Sequence, residues 1–200
     1  MHEPGNSRRF LFRVAALLVC AVAIVPACGR QPEPRYDGDP SKWAAPIEGQ
    51  PGLRNLYQVS DGLYRGAQPS KAGFASLAEM GIKTVIDLRA GHDESRRCAD
   101  NGLHCVHIPT EAWKYEEEAV IRFLQVVRDE ENHPVFVHCR RGADRAGLSV
   151  AVYRVVVDGW TKQEALAEMV DGPYRHNPKF KNLADYVEAM DVEMLREASE

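Results

Sequence analysis

The sequence has no excess of basic residues: 25 lysines and arginines stand against 29 aspartates and glutamates, for a net charge of −4. Nucleic-acid-binding domains usually present a basic face to the phosphate backbone, so this balance argues against a nucleic-acid partner. The 200 residues also contain no internal repeat, no low-complexity tract and no metal-ligand spacing. We therefore expect one ordinary globular domain with an additional segment, and no metal or other cofactor.

The apolar run from Val14 to Val25 is too short to span a bilayer, because a membrane-spanning helix needs roughly 20 residues. Three arginines, at positions 8, 9 and 13, precede it. A basic segment followed by a short apolar run is typical of an export signal. Residues Val25 to Cys28 resemble a bacterial lipoprotein cleavage box, which implies that Cys28 becomes a lipidated first residue. Conventional cleavage, or an uncleaved signal, is the alternative.

Residues 29–52 have no periodic apolar face and contain five prolines, at positions 32, 34, 40, 46 and 51. Because proline fixes φ and has no N–H group, we expect an extended tether. The predicted organisation is a signal peptide over 1–28, a tether over 29–52 and a folded domain over 53–200. The protein would be exported, either anchored to a membrane through Cys28 or free in the periplasm or outside the cell.

Segments of strand and helix character alternate through the first half of the domain. Residues 82–88, 103–108 and 135–137 predict buried strands. Helices are predicted from Ser70 to Met80, over 117–129 and over 146–157, and further helices begin at Thr161 and Asn177. This order predicts an α/β fold, in which helices flank a central, mostly parallel sheet and the C-terminal part is helical.

The segment from His138 to Gly147 joins the strand at 135–137 to the following helix. Such a turn directs backbone N–H groups outward and places the positive end of a helix beneath the loop. Cys139 lies here beside Arg140, Arg141 and Arg145, a setting that favours the thiolate over the thiol. A buried structural thiol is the alternative, but these neighbours predict a nucleophile in an anion-binding pocket.

Five residues separate Cys139 from Arg145, which is enough for the loop to curl round one tetrahedral anion. The guanidinium of Arg145 would hold two oxygens of that anion in its fork. A glycine within the loop permits the positive φ or close backbone approach that such a cradle needs. The candidate substrate-binding residues are those between the two: Arg140, Arg141, Gly142, Ala143 and Asp144.

These residues resemble the His-Cys-(five residues)-Arg signature of the cysteine-dependent protein tyrosine and dual-specificity phosphatases. The stretch from Asn132 to Gly147 is most similar to the atypical dual-specificity group of bacteria, plants and fungi. Leu63 to Pro69 and Thr84 to Arg89 also resemble that group, so the resemblance covers roughly Tyr57 to Tyr186. It implies a metal-independent phosphatase that forms a phospho-cysteine. Its substrates would carry phosphotyrosine, phosphoserine or phosphothreonine, or would be small phosphates such as inositol phosphates.

Two features depart from that family. The family usually has serine or threonine after the arginine, a hydroxyl that helps the thiolate leave when the phospho-cysteine is hydrolysed, whereas this chain has Ala146. Family members also place an acid, usually aspartic acid, on a loop after the strand that corresponds here to 103–108. Glu111 is the first candidate for this acid. Asp144 is the second, although a helix N-cap is its plainer role.

Other polar residues could support the site or simply the fold. His138 is expected to orient the loop through a hydrogen bond, and Asp87 and Arg89 to form a structural ion pair. Tyr64, Arg65 and Gln68 belong to the matching stretch from Leu63 to Pro69. The sequence allows two roles for them, which are lining the pocket and ordinary packing.

Cys98 and Cys105 are seven positions apart, on a helix predicted from His92 to Asn101 and on the strand that follows it. In an oxidising, exported setting they could form a disulfide.

Two other functions stay open at this point. Ala146 suggests a phosphate-binding pseudophosphatase with little turnover. A rhodanese-like sulfurtransferase would share the cysteine loop, although its loop generally has one residue fewer before the basic residue. The expected partner is a phosphorylated protein or small molecule, with membrane contact only through Cys28.

Overall fold

The computed structural model describes residues 36–200. Six strands form one sheet: β1 (Ala45–Pro46), β2 (Tyr57–Gln58), β3 (Leu63–Ala67), β4 (Thr84–Arg89), β5 (His104–Thr110) and β6 (Val135–Cys139). The α-helices of the same residues are α1 (Lys71–Glu79), α2 (Ser95–Asp100), α3 (Glu117–Arg128), α4 (Asp144–Val156), α5 (Lys162–Asp171), α6 (Lys181–Ala189) and α7 (Val192–Ala198). None of these helices is long and apolar enough to cross a membrane. The predicted signal peptide, Cys28 and the first part of the predicted tether lie outside the described residues.

The sheet has the strand order β1-β2-β3-β6-β4-β5. β3, β6, β4 and β5 pair in parallel, and β1 and β2 add an antiparallel edge. Parallel neighbours on both sides leave every residue of β6 buried. The predicted α/β fold with a mostly parallel sheet is confirmed. Cys139 ends β6 among parallel strands, at the carboxyl edge where ligands bind in sheets of this kind.

Helices cover both faces of the sheet, and alternate strand residues face one side or the other. Val85 and Phe136 pack in a smaller cluster with Phe74 and Leu77 of α1. Their neighbour Ile86 packs in the larger cluster, which includes residues of α3, α4, α5 and α6. α4 is buried along nearly its whole length. The helix that begins at the cysteine loop is therefore held on all sides.

The predicted tether extends too far along the chain. Ala44 is buried, and its backbone N–H donates to the carboxylate of Glu168 at 2.7 Å. The next residues, Ala45–Pro46, pair with β2 as the edge strand, which is a position that proline tolerates because one side of an edge strand needs no N–H. Tyr36, the first described residue, also packs against the larger core cluster and donates to Glu188 at 3.2 Å. The described part of the predicted tether thus belongs to the folded domain, and the boundary at 53 is wrong.

The C-terminal part is helical as predicted, but its last helix is divided. Pro178–Phe180 form a 3₁₀ turn, after which α6 ends at Ala189. The backbone of Met190 leaves the helical region (ψ 142°), and Asp191 caps α7 by accepting the N–H of Met194. The single helix predicted from Asn177 onward is therefore divided into two, because the N-cap Asp191 starts a new helix.

Candidate active site

The loop after β6 is fixed by the elements on either side of it. Cys139 is the last residue of β6 and pairs with Ala67 of β3, and its side chain is 3% exposed. α4 begins at Asp144, so residues 140–143 make the turn. Among residues 36–200 Cys139 is the free cysteine, because Cys98 and Cys105 form a disulfide.

Gly142 allows close contact between the loop and β3. Its φ is +71°, in the left-handed region that glycine adopts without steric cost. A Cβ at this position would lie 2.3 Å from the carbonyl carbon of Gly66 and 2.5 Å from the amide nitrogen of Ala67. Both are backbone atoms that cannot rotate away. The positive φ and the close approach that the sequence predicts at Gly142 are therefore both present.

Arg65 supports the loop from within the core. Its side chain is fully buried, and its Nη2 donates to the carbonyl oxygens of Gly142 at 2.9 Å and Ala143 at 3.2 Å. The guanidinium also lies 4.1 Å from the centre of the Tyr174 ring. Burial lowers the pKa of Arg65, while its interactions with Tyr174 and Cys139 act in the opposite direction. The buried guanidinium therefore holds the cysteine loop from the core side.

Arg145 is held by the ends of two neighbouring strands. Its Nη1 donates to the carbonyl oxygens of Leu88 at 3.0 Å and Thr110 at 2.7 Å. These bonds use one nitrogen of the guanidinium, which leaves Nε and Nη2 for the oxygens of an anion. The side chain is therefore oriented by β4 and β5 before a substrate binds.

Glu111 lies at the edge of the site, because the residue before it, Thr110, accepts the hydrogen bond from Arg145. Glu111 bridges to Lys114 across a tight turn, and the backbone of this turn accepts a hydrogen bond from Asn182 of α6. The Glu111 side chain is partly exposed. The backbone of Glu111 therefore follows directly on a carbonyl that orients Arg145, and the role of its carboxylate as the acid stays a prediction.

Asp144 is not the N-cap that the sequence predicts. α4 already begins at Asp144, and Ala143 precedes it as the cap residue. The carboxylate accepts the backbone N–H of Asn177 at 2.8 Å and lies 3.4 Å from Nδ1 of His176. Its charge therefore holds the segment before α6 in place. This role leaves Glu111 as the better candidate for the acid.

Behind the nucleophile, His138 belongs to a buried ion-pair cluster. Its Nε2 lies 3.0 Å from Glu94 and 4.0 Å from Asp87. Gln68 donates to the other Glu94 oxygen at 2.7 Å. Asp87 accepts the backbone N–H of Arg89 at 2.8 Å and faces the histidine. The predicted ion pair between the Asp87 and Arg89 side chains is therefore wrong.

The two carboxylates of this cluster have pKa values shifted in opposite directions. Burial raises the pKa of Asp87, and His138 only partly offsets this. Burial acts on Glu94 in the same sense, but contacts with His138 and Gln68 outweigh it, so the pKa of Glu94 is lowered. One ligand atom each from Asp87, Glu94 and His138 lies within 4.8 Å of the others. Their mutual ion pairs account for this cluster, and we assign no metal to it.

The disulfide between Cys98 and Cys105 joins α2 to β5, with 5.8 Å between the two Cα atoms. The predicted bridge is confirmed. Glu94 is the residue immediately before α2, so the disulfide fixes the helix that places this carboxylate beside His138.

Arg140 and Arg141 are exposed and line a groove beside the loop. Tyr64 packs against the smaller apolar cluster, which favours the packing alternative for it.

Tyr115 is a residue that the sequence did not indicate. Its hydroxyl lies 3.2 Å from Oγ of Ser149, and burial raises its pKa to about 12. Its charge would interact with those of Cys139 and Arg145, so it lies near both. The sequence does contain an indication that Ser149 lies near the site. Residues four apart share a helix face, and Ser149 follows Arg145 by four positions.

Comparisons with known proteins agree with this geometry. A family model described as "DSP-PTPase phosphatase fused to NAD+ Kinase" matches residues 54–185. The dual specificity protein phosphatase TpbA of Pseudomonas aeruginosa (strain UCBPP-PA14) is 35% identical over 155 residues, which cover 77% of this chain and 69% of TpbA. Inositol diphosphatase DSP4 of Arabidopsis thaliana is 31% identical over 110 residues, covering 51% of this chain and 56% of the relative. The crystal structure of P. aeruginosa TpbA in complex with pTyr has a TM-score of 0.70 at 32% identity, covering 79% of this chain and 96% of that one.

These matches contain the elements that build the site. The region matched by the family model begins before β2 and ends within α6, so it includes β6, the cysteine loop and the turn at Glu111. The resemblance predicted from the sequence is confirmed, and a rhodanese-like sulfurtransferase is not supported. The chain belongs to the dual-specificity phosphatase family and is a cysteine-dependent phosphoric monoester hydrolase.

Proposed function

We propose that Cys139 is the nucleophile of this phosphatase and Glu111 its acid. The Cys139 thiolate attacks phosphorus, an S–P bond forms and the P–O bond to the leaving group breaks. The protonated Glu111 gives its proton to the leaving oxygen. Water then attacks phosphorus, the S–P bond breaks, and the Glu111 carboxylate takes the proton from the water.

The observation that carries this proposal is the presence of two oriented cations at the loop that carries Cys139. Arg65 is buried beneath the loop, and it donates to two loop carbonyls. Arg145 is held at Nη1 by two strand ends, with its remaining donors available for the equatorial oxygens. The backbone N–H groups of the loop add donors at a helix N-terminus. Such preorganised charge stabilises the transition state without having to rearrange during the reaction.

Hydrolysis of p-nitrophenyl phosphate by the purified chain tests the role of Cys139. Cys139→Ser should abolish turnover, and Arg145→Lys should reduce it strongly because a lysine cannot offer the fork. Arg122→Ala, which removes an exposed arginine on α3, is the matched control and should keep wild-type activity. Acid quenching with ³²P-labelled substrate should leave label on the wild type and on Arg122→Ala, but not on Cys139→Ser. Normal turnover by Cys139→Ser would rule out the mechanism.

We propose phosphotyrosine in proteins as the substrate. Cys139 is almost completely buried at the base of its loop, and a long aryl phosphate reaches a recessed nucleophile more readily than a phosphoserine does. The structure of the relative TpbA with pTyr supports this choice. Matched phosphotyrosine and phosphoserine peptides should differ in kcat/KM in favour of phosphotyrosine, and equal values would contradict the proposal.

Ala146 favours a second candidate function, phosphate binding with slow turnover. Its side chain is fully buried in the first turn of α4 and carries no hydroxyl. The nearby Ser149 hydroxyl already contacts Tyr115. Pre-steady-state measurement separates the two functions. A burst of one leaving group per active site, followed by a very slow phase, indicates a long-lived phospho-cysteine, whereas continued fast release of the leaving group indicates the full phosphatase.

We infer that the protein is exported and tethered to a membrane by lipid on Cys28. The basic segment, the short apolar run and the cleavage box support this inference. The Cys98–Cys105 disulfide supports it independently, because structural disulfides persist mainly in oxidising compartments. Labelled fatty acid should enter the wild-type chain and a Cys20→Ser control, but not Cys28→Ser. Equal labelling, or none in any variant, would contradict lipidation.

A further inference from the structure

A groove with four arginines lies beside the cysteine loop. Its volume is about 640 Å³, which is far more than one phosphate group needs and within the range of pockets that hold drug-sized ligands. Two of the arginines, Arg140 and Arg141, come from the loop itself. The other two, Arg54 and Arg175, come from segments far apart in the sequence. One acidic residue, Glu48, faces them, so the groove is strongly basic although the chain as a whole is acidic.

A single side chain joins the two walls of this groove. The amide nitrogen of Asn55 donates to the carbonyl oxygen of Arg141 at 3.1 Å and to that of Tyr174 at 3.2 Å. It thereby fixes the loop wall relative to the wall that carries Arg175. Asn55 (φ +52°) and Arg175 (φ +68°) are the two non-glycine residues with left-handed backbone in the described part of the chain. Such backbone is costly for an arginine and concentrates at functional sites.

The remaining lining is apolar, and this feature distinguishes between possible occupants. It comes from the edge strands and from the segment after α5: Pro46, Ile47, Leu56, Tyr57 and Pro173. A small polyphosphate gains nothing from apolar walls, because all of its surface is charged. A peptide gains from both the apolar wall and the arginines, because its side chains and backbone can cover the wall while its carboxylates pair with the guanidinium groups.

We propose that this groove binds an acidic stretch of the protein substrate next to the phosphorylated residue. The inference rests on the proposed phosphotyrosine phosphatase function, since the loop supplies both the nucleophile and one wall of the groove. Arg54 and Arg175 then determine specificity and take no part in the chemistry. Because their ion pairs form at a partly exposed surface, each should contribute about a two- to fivefold preference at low ionic strength, and salt should weaken it.

The first test measures binding, so it does not depend on turnover. Two fluorescent phosphotyrosine peptides, one with aspartate and glutamate flanking the phosphotyrosine and one with the corresponding amides, are titrated into the full-length Cys139→Ser variant. The acidic peptide should bind more tightly. Adding Arg54→Ala together with Arg175→Asn should remove most of that preference, and asparagine is chosen at 175 because it tolerates left-handed backbone. Arg122→Ala is the matched control and should leave the preference unchanged.

The second test compares kcat/KM of the same two peptides with that of p-nitrophenyl phosphate in the otherwise native chain. The ratio of the two peptide values measures the acidic preference, and the p-nitrophenyl phosphate value measures the function of the loop. Loss of the ratio in the double variant is therefore a groove effect, whereas an equal fall of all three values is damage to the loop. An unchanged preference in the double variant overturns the groove proposal. The groove proposal is also overturned if an inositol polyphosphate displaces the acidic peptide and its hydrolysis depends more strongly on Arg54 and Arg175 than hydrolysis of the peptide does. If p-nitrophenyl phosphate is not hydrolysed but the binding preference is present, the catalytic proposal fails and the groove stands.

Discussion

Replacing Gly142 with alanine should lower both stability and activity. The left-handed backbone costs alanine about 1–2 kcal/mol. The new Cβ would lie 2.3 Å from the carbonyl carbon of Gly66, whereas ordinary contact begins at 3.4 Å, so the loop must move away from β3 by about 1 Å. Overpacking of this kind costs about 1–3 kcal/mol, and the free energy of unfolding should fall by roughly 2–5 kcal/mol in total. A catalytic loop displaced by about 1 Å should lose roughly 100-fold in kcat/KM.

Gly81→Ala is the matched control for this prediction. Gly81 has φ +79°, and a Cβ built there meets no atom within 4 Å. This variant therefore has the backbone cost without the clash, about 1–2 kcal/mol, and should keep its activity. Urea denaturation gives the two stabilities, and p-nitrophenyl phosphate hydrolysis gives the two activities. If both variants lose the same stability and Gly142→Ala stays active, the contact with β3 does not shape the loop and the reasoning is refuted.

Three further predictions concern the acid, the missing hydroxyl and the buried cluster. Glu111→Gln should lower kcat/KM about 10²–10⁴-fold for alkyl phosphates and less for p-nitrophenyl phosphate, which needs little protonation; equal losses in kcat/KM on both would exclude Glu111 as the acid. Ala146→Ser should shorten the slow phase that follows a burst, and an unchanged slow phase would show that the hydroxyl is not what limits hydrolysis. The pKa of Glu94 is below its ordinary value of 4.5 in the folded chain, so its carboxylate stabilises the fold above that pH and this contribution is lost on acidification. The stability difference between wild type and Glu94→Gln should therefore shrink as the pH falls below 4.5, and a difference that grows in urea titrations would contradict this sign.

The cysteine loop could be predicted from the sequence because its determinants are local. Cys139, Gly142 and Arg145 lie within seven residues, between a strand and a helix that each have a clear apolar pattern. The turn geometry and the positive φ follow from that order, although α4 begins at Asp144, two residues before the predicted start at 146. The same is true of the helix caps, because a cap is a contact between residues three apart, as at Thr161 and Glu164.

The support of the loop could not be predicted, because it depends on contacts between distant segments. Arg65 is 77 positions from Gly142, whose carbonyl it contacts, and only the parallel pairing of β3 with β6 brings them together. The end of the predicted tether was misjudged for the same reason. Its prolines indicate the absence of local structure, but Ala44 is held by Glu168, which is 124 positions away. Asp144 is another example. Its position before a helix predicts an N-cap, but its carboxylate instead accepts the backbone N–H of the distant residue Asn177.

The turn after α5 contacts both the support of the cysteine loop and the wall of the proposed peptide groove. Tyr174 receives the Arg65 guanidinium on its ring, and its backbone carbonyl accepts from Asn55 on the groove side. The first contact holds the cation beneath the thiol, while the second fixes the wall that presents Arg175. A change at Tyr174 should therefore disturb turnover and peptide preference together, whereas Arg175→Asn should disturb the preference without reaching Arg65. This asymmetry follows because the ring faces the core and the residue after it lines the groove.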